Sequence, residues 1–127
     1  EMEYLRNQIT TVNKGVTTSW GIDGHNILKS DEEYYVIVYD GEDSKAVYYS
    51  AIVTTYMQKD KSLPVYFCDL GNRFNKDYYV GENGTSNKNA KTVEEFAFGK
   101  LTLIKVKNGK IDKYIESLDT IKEELSV

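Results

Sequence analysis

Tyr34-Tyr35-Val36-Ile37-Val38-Tyr39, running on into Asp40-Gly41-Glu42-Asp43-Ser44-Lys45-Ala46, is the segment on which the architecture of this chain turns. Its first six residues are apolar or aromatic without alternation. That pattern suits a strand covered on both faces, as in a parallel or mixed sheet. The residues that follow switch to a helical period, which predicts a helix over residues 42–59. Tyr48, Ile52 and Tyr56 would form its inner face, with Val47 and Ala51 beside them. Asp40, Glu42 and Asp43 stand at its N-terminal end, where the macrodipole favours negative charge. Polar residues 59–62 end the helix, and Leu63-Pro64 leads into a second buried strand at 65–70. Together these pieces make a βαβ unit, whose crossover is expected to be right-handed.

Downstream, residues 71–91 are polar and rich in Gly and Asn, an irregular crossover with a short helix expected over 75–80 and a mobile surface loop at 81–89. A helical turn is expected within 93–98. Leu101-Thr102-Leu103-Ile104-Lys105-Val106-Lys107 reads as a strand. Asn108-Gly109 then predicts a type I′ hairpin, because both central positions of that turn need positive φ. Residues 110–115 return antiparallel. Ser117 or Asp119 would cap a final helix with Ile121 and Leu125 as its inner stripe. Upstream, residues 1–12 fit a frayed helix or short edge strand and 16–20 a strand. Asp23 would cap a short helix through Lys29, with Ile27 and Leu28 facing inward. The chain reads as one domain over 1–127, with 1–21 as an N-terminal extension and 71–91 as a polar crossover.

At 127 residues, 40% hydrophobic and 28% charged, the chain can bury a core of its own and is unlike a disordered sequence. A net charge of −4 disfavours nonspecific nucleic-acid binding, which rests on phosphate neutralisation. Lys100, Lys105, Lys107, Lys110 and Lys113 read as a solvated strand face. The longest apolar run is too short to span a bilayer, and no signal peptide is visible. The chain begins at Glu1; removal of an upstream segment would imply an extracytoplasmic location, and otherwise a cytoplasmic one is expected. Cys68, the sole cysteine, lies in a buried-strand pattern and reads as a small core hydrophobe, so no intrachain disulfide is expected. His25 reads as a surface or cap residue. Neither zinc-ligand spacing, a Gly-rich phosphate loop nor a nucleophile motif is present, so no cofactor and no metal are expected. Tyrosine is abundant and suits core edges as well as binding surfaces.

The order strand, helix, strand, irregular crossover, strand, Asn-Gly hairpin, strand, helix resembles thioredoxin. It is more similar still to the small thioredoxin-like proteins of low-GC Gram-positive bacteria, some named as bacteriocin-maturation disulfide isomerases or transport accessory proteins. The resemblance extends over residues 22–127 and is carried by 34–52, 63–70 and 99–125. Gly99-Lys100-Leu101-Thr102-Leu103-Ile104, followed by Lys107-Asn108-Gly109-Lys110, resembles the family's Gly-Thr-Pro-Thr-Leu and its later Lys-Asn-Gly. What it implies is an α/β thioredoxin-like fold with a central mixed β-sheet flanked by helices.

Two family features are missing. Asp43 and Ala46 stand where the Cys-x-x-Cys cysteines would be, and neither side chain can attack or resolve a disulfide. Leu101 stands where the family has its cis-proline, so a trans Lys100–Leu101 peptide is expected. Dithiol oxidoreductase activity is therefore not expected. As a plain helix start, the turn would use Asp43 as a cap worth ~1 kcal/mol; the other reading of the turn is a ligand site on Asp43, Ser44 and Lys45. The resemblance implies a redox-inactive protein that binds a peptide or protein partner, as an accessory factor in bacterial secretion or the cell envelope. Its surface would be the former active-site groove: Asp40, Gly41, Glu42, Asp43, Ser44, Lys45 and Ala46, with Lys100 and Leu101 beside them. The alternative is a monothiol redox protein using Cys68.

Overall fold

β1 (Tyr34–Tyr39) lies inside a four-stranded mixed sheet, which is why it carries no polar side. The computed structural model describes residues 21–127, so the segments read at 1–12 and 16–20 lie outside the described residues. The other elements are α1 (Ala46–Met57), β2 (Val65–Asp69), β3 (Leu101–Lys107), β4 (Lys110–Ile115) and α2 (Leu118–Leu125). The sheet order is β2-β1-β3-β4, with β1 parallel to β2 and antiparallel to β3, and β3 antiparallel to β4.

Alternation along β1 divides the core in two. Tyr35 and Ile37 join Val65, Phe67 and Leu103 on one face, which α1 covers with Tyr49, Ile52 and Val53 and α2 with Ile121 and Leu125. Tyr34, Val36 and Val38 join Tyr66, Cys68, Ile104 and Val106 on the other. Each such side chain contributes about 1.5–3 kcal/mol through removal from water. The sheet was expected to be flanked by helices, yet both helices pack on the same face. The second face is covered by Ile22, Ile27, Leu70, Ala90, Phe96 and Phe98, on irregular backbone with 3₁₀ turns at Gly24–Asn26, Lys76–Tyr78 and Val93–Glu95. The short helices expected near Asp23 and over 75–80 are single turns, and the polar crossover contributes Ala90 to this face, with Tyr78 and Tyr79 packed against it.

α1 departs from its expected register. Its inner stripe is Tyr49, Ile52, Val53 and Tyr56, the i, i+3, i+4, i+7 set, while Val47, Tyr48 and Ala51 face outward. The helix also starts four residues later than read, at Ala46. Ser117 and Asp23 occupy cap positions without a side-chain cap bond. The Asn108-Gly109 turn has φ of 53° and 73°, as a type I′ hairpin requires, and the Lys100–Leu101 peptide is trans.

α2 is tied down by polar bonds as well as by its stripe. The Lys59 ammonium donates to the Leu125 carbonyl at 3.0 Å and to that of Ser126. The buried Tyr35 hydroxyl donates to Glu124 Oε2 at 2.5 Å, and Lys113 Nζ reaches both Glu124 oxygens at 2.9 and 3.0 Å. Burial pushes the Glu124 carboxyl up, but Tyr35, Lys113 and Lys105 outweigh it and hold it below 4.5. A depressed carboxyl favours the fold above its unfolded pKa and loses that contribution as pH falls through its folded one. We therefore expect the urea midpoint to drop from pH 7 to pH ~3. The drop should be smaller in Glu124→Gln; an identical drop would place the acid sensitivity elsewhere.

Candidate functional site

Where the parallel strands end, β1 passes into a run of turns rather than directly into the helix. The Asp43 N–H donates to the Asp40 carbonyl, and the Ala46 N–H to that of Asp43, both at 3.0 Å. Side chains repeat the pattern: Glu42 N–H donates to Asp40 Oδ1 at 3.0 Å, and Lys45 N–H to Asp43 Oδ1 at 2.9 Å. Asp43 thus braces the turn before α1, and the N-cap is Lys45, which makes no side-chain cap bond. This corrects the capping role read for Asp43: its carboxylate is spent two residues too early to serve the helix.

The turn is clamped to β2 by Asp69. Asp69 Oδ1 accepts the N–H of Gly41 at 2.7 Å and that of Gly71 at 2.8 Å, drawing the ends of the parallel strands together. A Cβ on Gly41 would lie 2.3 Å from Asp69 Oδ2, so only glycine admits this approach. Gly41→Val is accordingly expected to displace the turn and lower the melting temperature by several degrees, read by calorimetry, whereas Ser44→Ala in the same exposed turn should leave it within about 1 °C.

Two clefts open at this end of the sheet, the end at which open α/β sheets place their ligands. One, of about 280 Å³, is lined by Asp40, Glu42, Leu70, Gly71, Lys76 and Tyr79. The other, of about 470 Å³, includes Tyr79, Gly81, Glu82, Gly99, Lys100 and Glu116. Tyr79 lines both. Lys100 Nζ stands 3.7 Å from Glu82, and Glu116 3.4 Å from Lys88; such exposed pairs contribute little to stability.

Of the nine groove residues read from the sequence, the structure brings Asp40 and Glu42 to the first cleft and Lys100 to the second. Gly41 is held by Asp69. Asp43, Ser44 and Lys45 form the turn ahead of α1, Ala46 opens the helix, and none of the four lines either cleft. Leu101 pairs with Tyr39 in the ladder and packs, half-buried, on the helix side of the sheet. Sequence reasoning missed Asp69, Gly71, Lys76, Tyr79 and Glu82. Only Asp69 left a trace, as a lone carboxylate closing an apolar strand.

Cys68 is fully buried on the sheet face away from the helices. Burial, with Asp23 and Asp69 nearby, pushes its thiol up, away from the thiolate that redox chemistry needs. Burial and the neighbouring Asp69 carboxylate likewise raise the Tyr39 phenol to about 12. His25 is exposed. Among the described residues, no three His, Cys, Asp or Glu side chains gather to hold a metal ion, and no helix is long and apolar enough to cross a membrane. Comparison with protein-family models, with curated proteins and with solved structures finds no significant match.

Proposed function

We propose that this is a redox-inactive, thioredoxin-like protein that holds an extended segment of a peptide or protein partner across the paired clefts. The observation that carries this reading is the end of the central ladder. β1 and β3 pair up to Tyr39–Leu101 and then part, so that Asp40 and Lys100 stand in adjoining clefts. Backbone leaving a sheet beside a groove offers an extended chain main-chain partners, with neighbouring side chains giving selectivity. The order of elements and the Asn-Gly hairpin support the thioredoxin-like assignment, while the trans Lys100–Leu101 peptide departs from the family and supports the loss of its redox site. Asp43 and Ala46 at the cysteine positions, with the sole thiol buried, support a holding role over a redox one. By the same resemblance the partner belongs to bacterial secretion or the cell envelope.

Capture of partner by immobilised protein tests the reading. Alanine at Glu42, Lys76 or Lys100, which line the clefts, should weaken capture by about tenfold with the circular dichroism spectrum unchanged. Unchanged capture in all three would place the site elsewhere. An insulin-reduction assay should show no activity. Thiol-reagent labelling of Cys68 should be slow in the native protein and fast after unfolding; fast native labelling would revive the monothiol alternative.

A further inference from the structure

α1 reads Ala46-Val47-Tyr48-Tyr49-Ser50-Ala51-Ile52-Val53-Thr54-Thr55-Tyr56-Met57, with no charged residue in a chain that is 28% charged. A helix that is apolar all round is ordinarily buried all round. Here only the Tyr49, Ile52, Val53 side is buried. Val47 is 81% exposed and Tyr48 45%, and Ala51 and Thr55 are exposed as well. Val47, Ala51 and Thr55 recur every fourth residue and so form one ridge, with Tyr48 alongside. Even the threonines present little polarity. Thr54 Oγ1 donates to the Ser50 carbonyl and Thr55 Oγ1 to that of Ala51, both at 2.9 Å, so each hydroxyl is engaged within the helix. Lys122, whose Nζ lies 3.3 Å from the Tyr48 hydroxyl, stands at the rim.

Charge returns at the two ends of the helix with opposite bias. Asp40, Glu42, Asp43 and Lys45 precede it, and Lys59, Asp60 and Lys61 follow. A surface that is uncharged along its length, acidic before one end and basic after the other is complementary to itself turned around. We propose that α1 packs antiparallel against the α1 of a second copy of this chain. A two-fold axis near Ala51 would then set Val47 of each copy near Thr55 of the other, with the acidic turn of each beside the other's Lys61, since Lys59 is held on the Leu125 and Ser126 carbonyls. The helix dipoles oppose each other favourably in this arrangement. A parallel pairing would set like charges together. The contact is isologous and therefore closes at two copies. One helix from each side places it at the low end of interface sizes, below about 1,200 Å², so the dimer is weak and depends on concentration. The acidic turn carries Asp40 and Glu42 of the first cleft, but the Val47–Ala51–Thr55 ridge shares no residue with either cleft, so Ala51→Glu tests this contact separately from partner capture.

Sedimentation velocity from about 10 µM to about 1 mM reads the association directly. The wild-type chain should pass from monomer to dimer across this range. Ala51→Glu, at an exposed position that leaves the fold intact, should weaken dimerisation by at least about tenfold. Asp43→Lys should weaken it too, and adding Lys61→Glu should restore it by reversing both ends of the contact. A chain that stays monomeric throughout overturns the proposal. So does an Ala51→Glu variant that dimerises like wild type, or a double reversal no better than Asp43→Lys alone.

Discussion

Replacing Phe98 by alanine is expected to lower the unfolding free energy by about 3–5 kcal/mol. Phe98 is wholly buried, with its ring 5.0 Å from that of Phe96 and stacked at 15° on Tyr114, 6.0 Å away. Its backbone is engaged too. The Phe98 N–H donates to the Tyr78 carbonyl at 2.7 Å, and its own carbonyl accepts the Val80 N–H at 3.0 Å. Phe98 therefore fastens the crossover to the sheet in two ways, and truncation removes the ring while leaving a cavity that β4 and the 3₁₀ turns cannot close. A domain of this size is stable by about 5–15 kcal/mol, so the loss is a large share of the whole. The check is a urea midpoint shift at unchanged m-value. Phe98→Leu, which keeps most of the volume, should cost less than half as much. A loss below about 1 kcal/mol for Phe98→Ala would mean that residues 71–99 unfold separately from the sheet, as a loop would, instead of forming one of its faces.

That half of the core was the part least legible in the sequence. Tyr78, Ala90, Phe96 and Phe98 lie at no fixed period, because they hang on irregular backbone and 3₁₀ turns; neither a helical nor a strand template selects them. The opposite face was legible wherever a local rule applies: the unbroken run at 34–39, the apolar strand at 65–69, the Asn-Gly turn, and Ile121 with Leu125. α1 shows where such rules stop. Its residues lack any charge to mark an outer side, so periodicity could not choose between stripes containing Tyr48 and Tyr49. The acidic residues at 40–43 looked like a helix start because they sit where the macrodipole would favour them, yet their bonds close turns before the helix begins. The clefts were half legible. Asp40, Glu42 and Lys100 came from the resemblance, while Asp69 acts on Gly41 across 28 residues of sequence, a distance that local patterns do not reach.

The second large effect is expected at Asp69, where the fold and the proposed holding site meet. Asp69→Ala removes the oxygen that receives both Gly41 and Gly71, two charge-assisted bonds. Both N–H groups are exposed, so water replaces part of what is lost, and a cost of about 1–3 kcal/mol is expected, equivalent to roughly 4–11 °C in melting temperature. The local consequence should exceed the global one. Without the clamp the Leu70 N–H to Tyr39 carbonyl bond at 2.7 Å still joins the ends of the parallel strands, but the Asp40–Lys45 turns lose their bond to Asp69, and the first cleft loses the wall that Gly71 and Asp40 share. Amide exchange at Gly41 and Gly71 should accelerate more than exchange in β1 and β3. Asp69→Asn separates charge from geometry, since its amide oxygen still accepts both bonds. If it keeps the slow exchange and the partner capture that Asp69→Ala loses, the clamp acts by positioning the turn. If Asp69→Asn loses capture while keeping slow exchange, the carboxylate charge itself meets the partner. If Asp69→Ala leaves exchange and capture unchanged, the turn holds its shape through its own Asp40 and Asp43 bonds, and the clefts do not depend on β2 for their form.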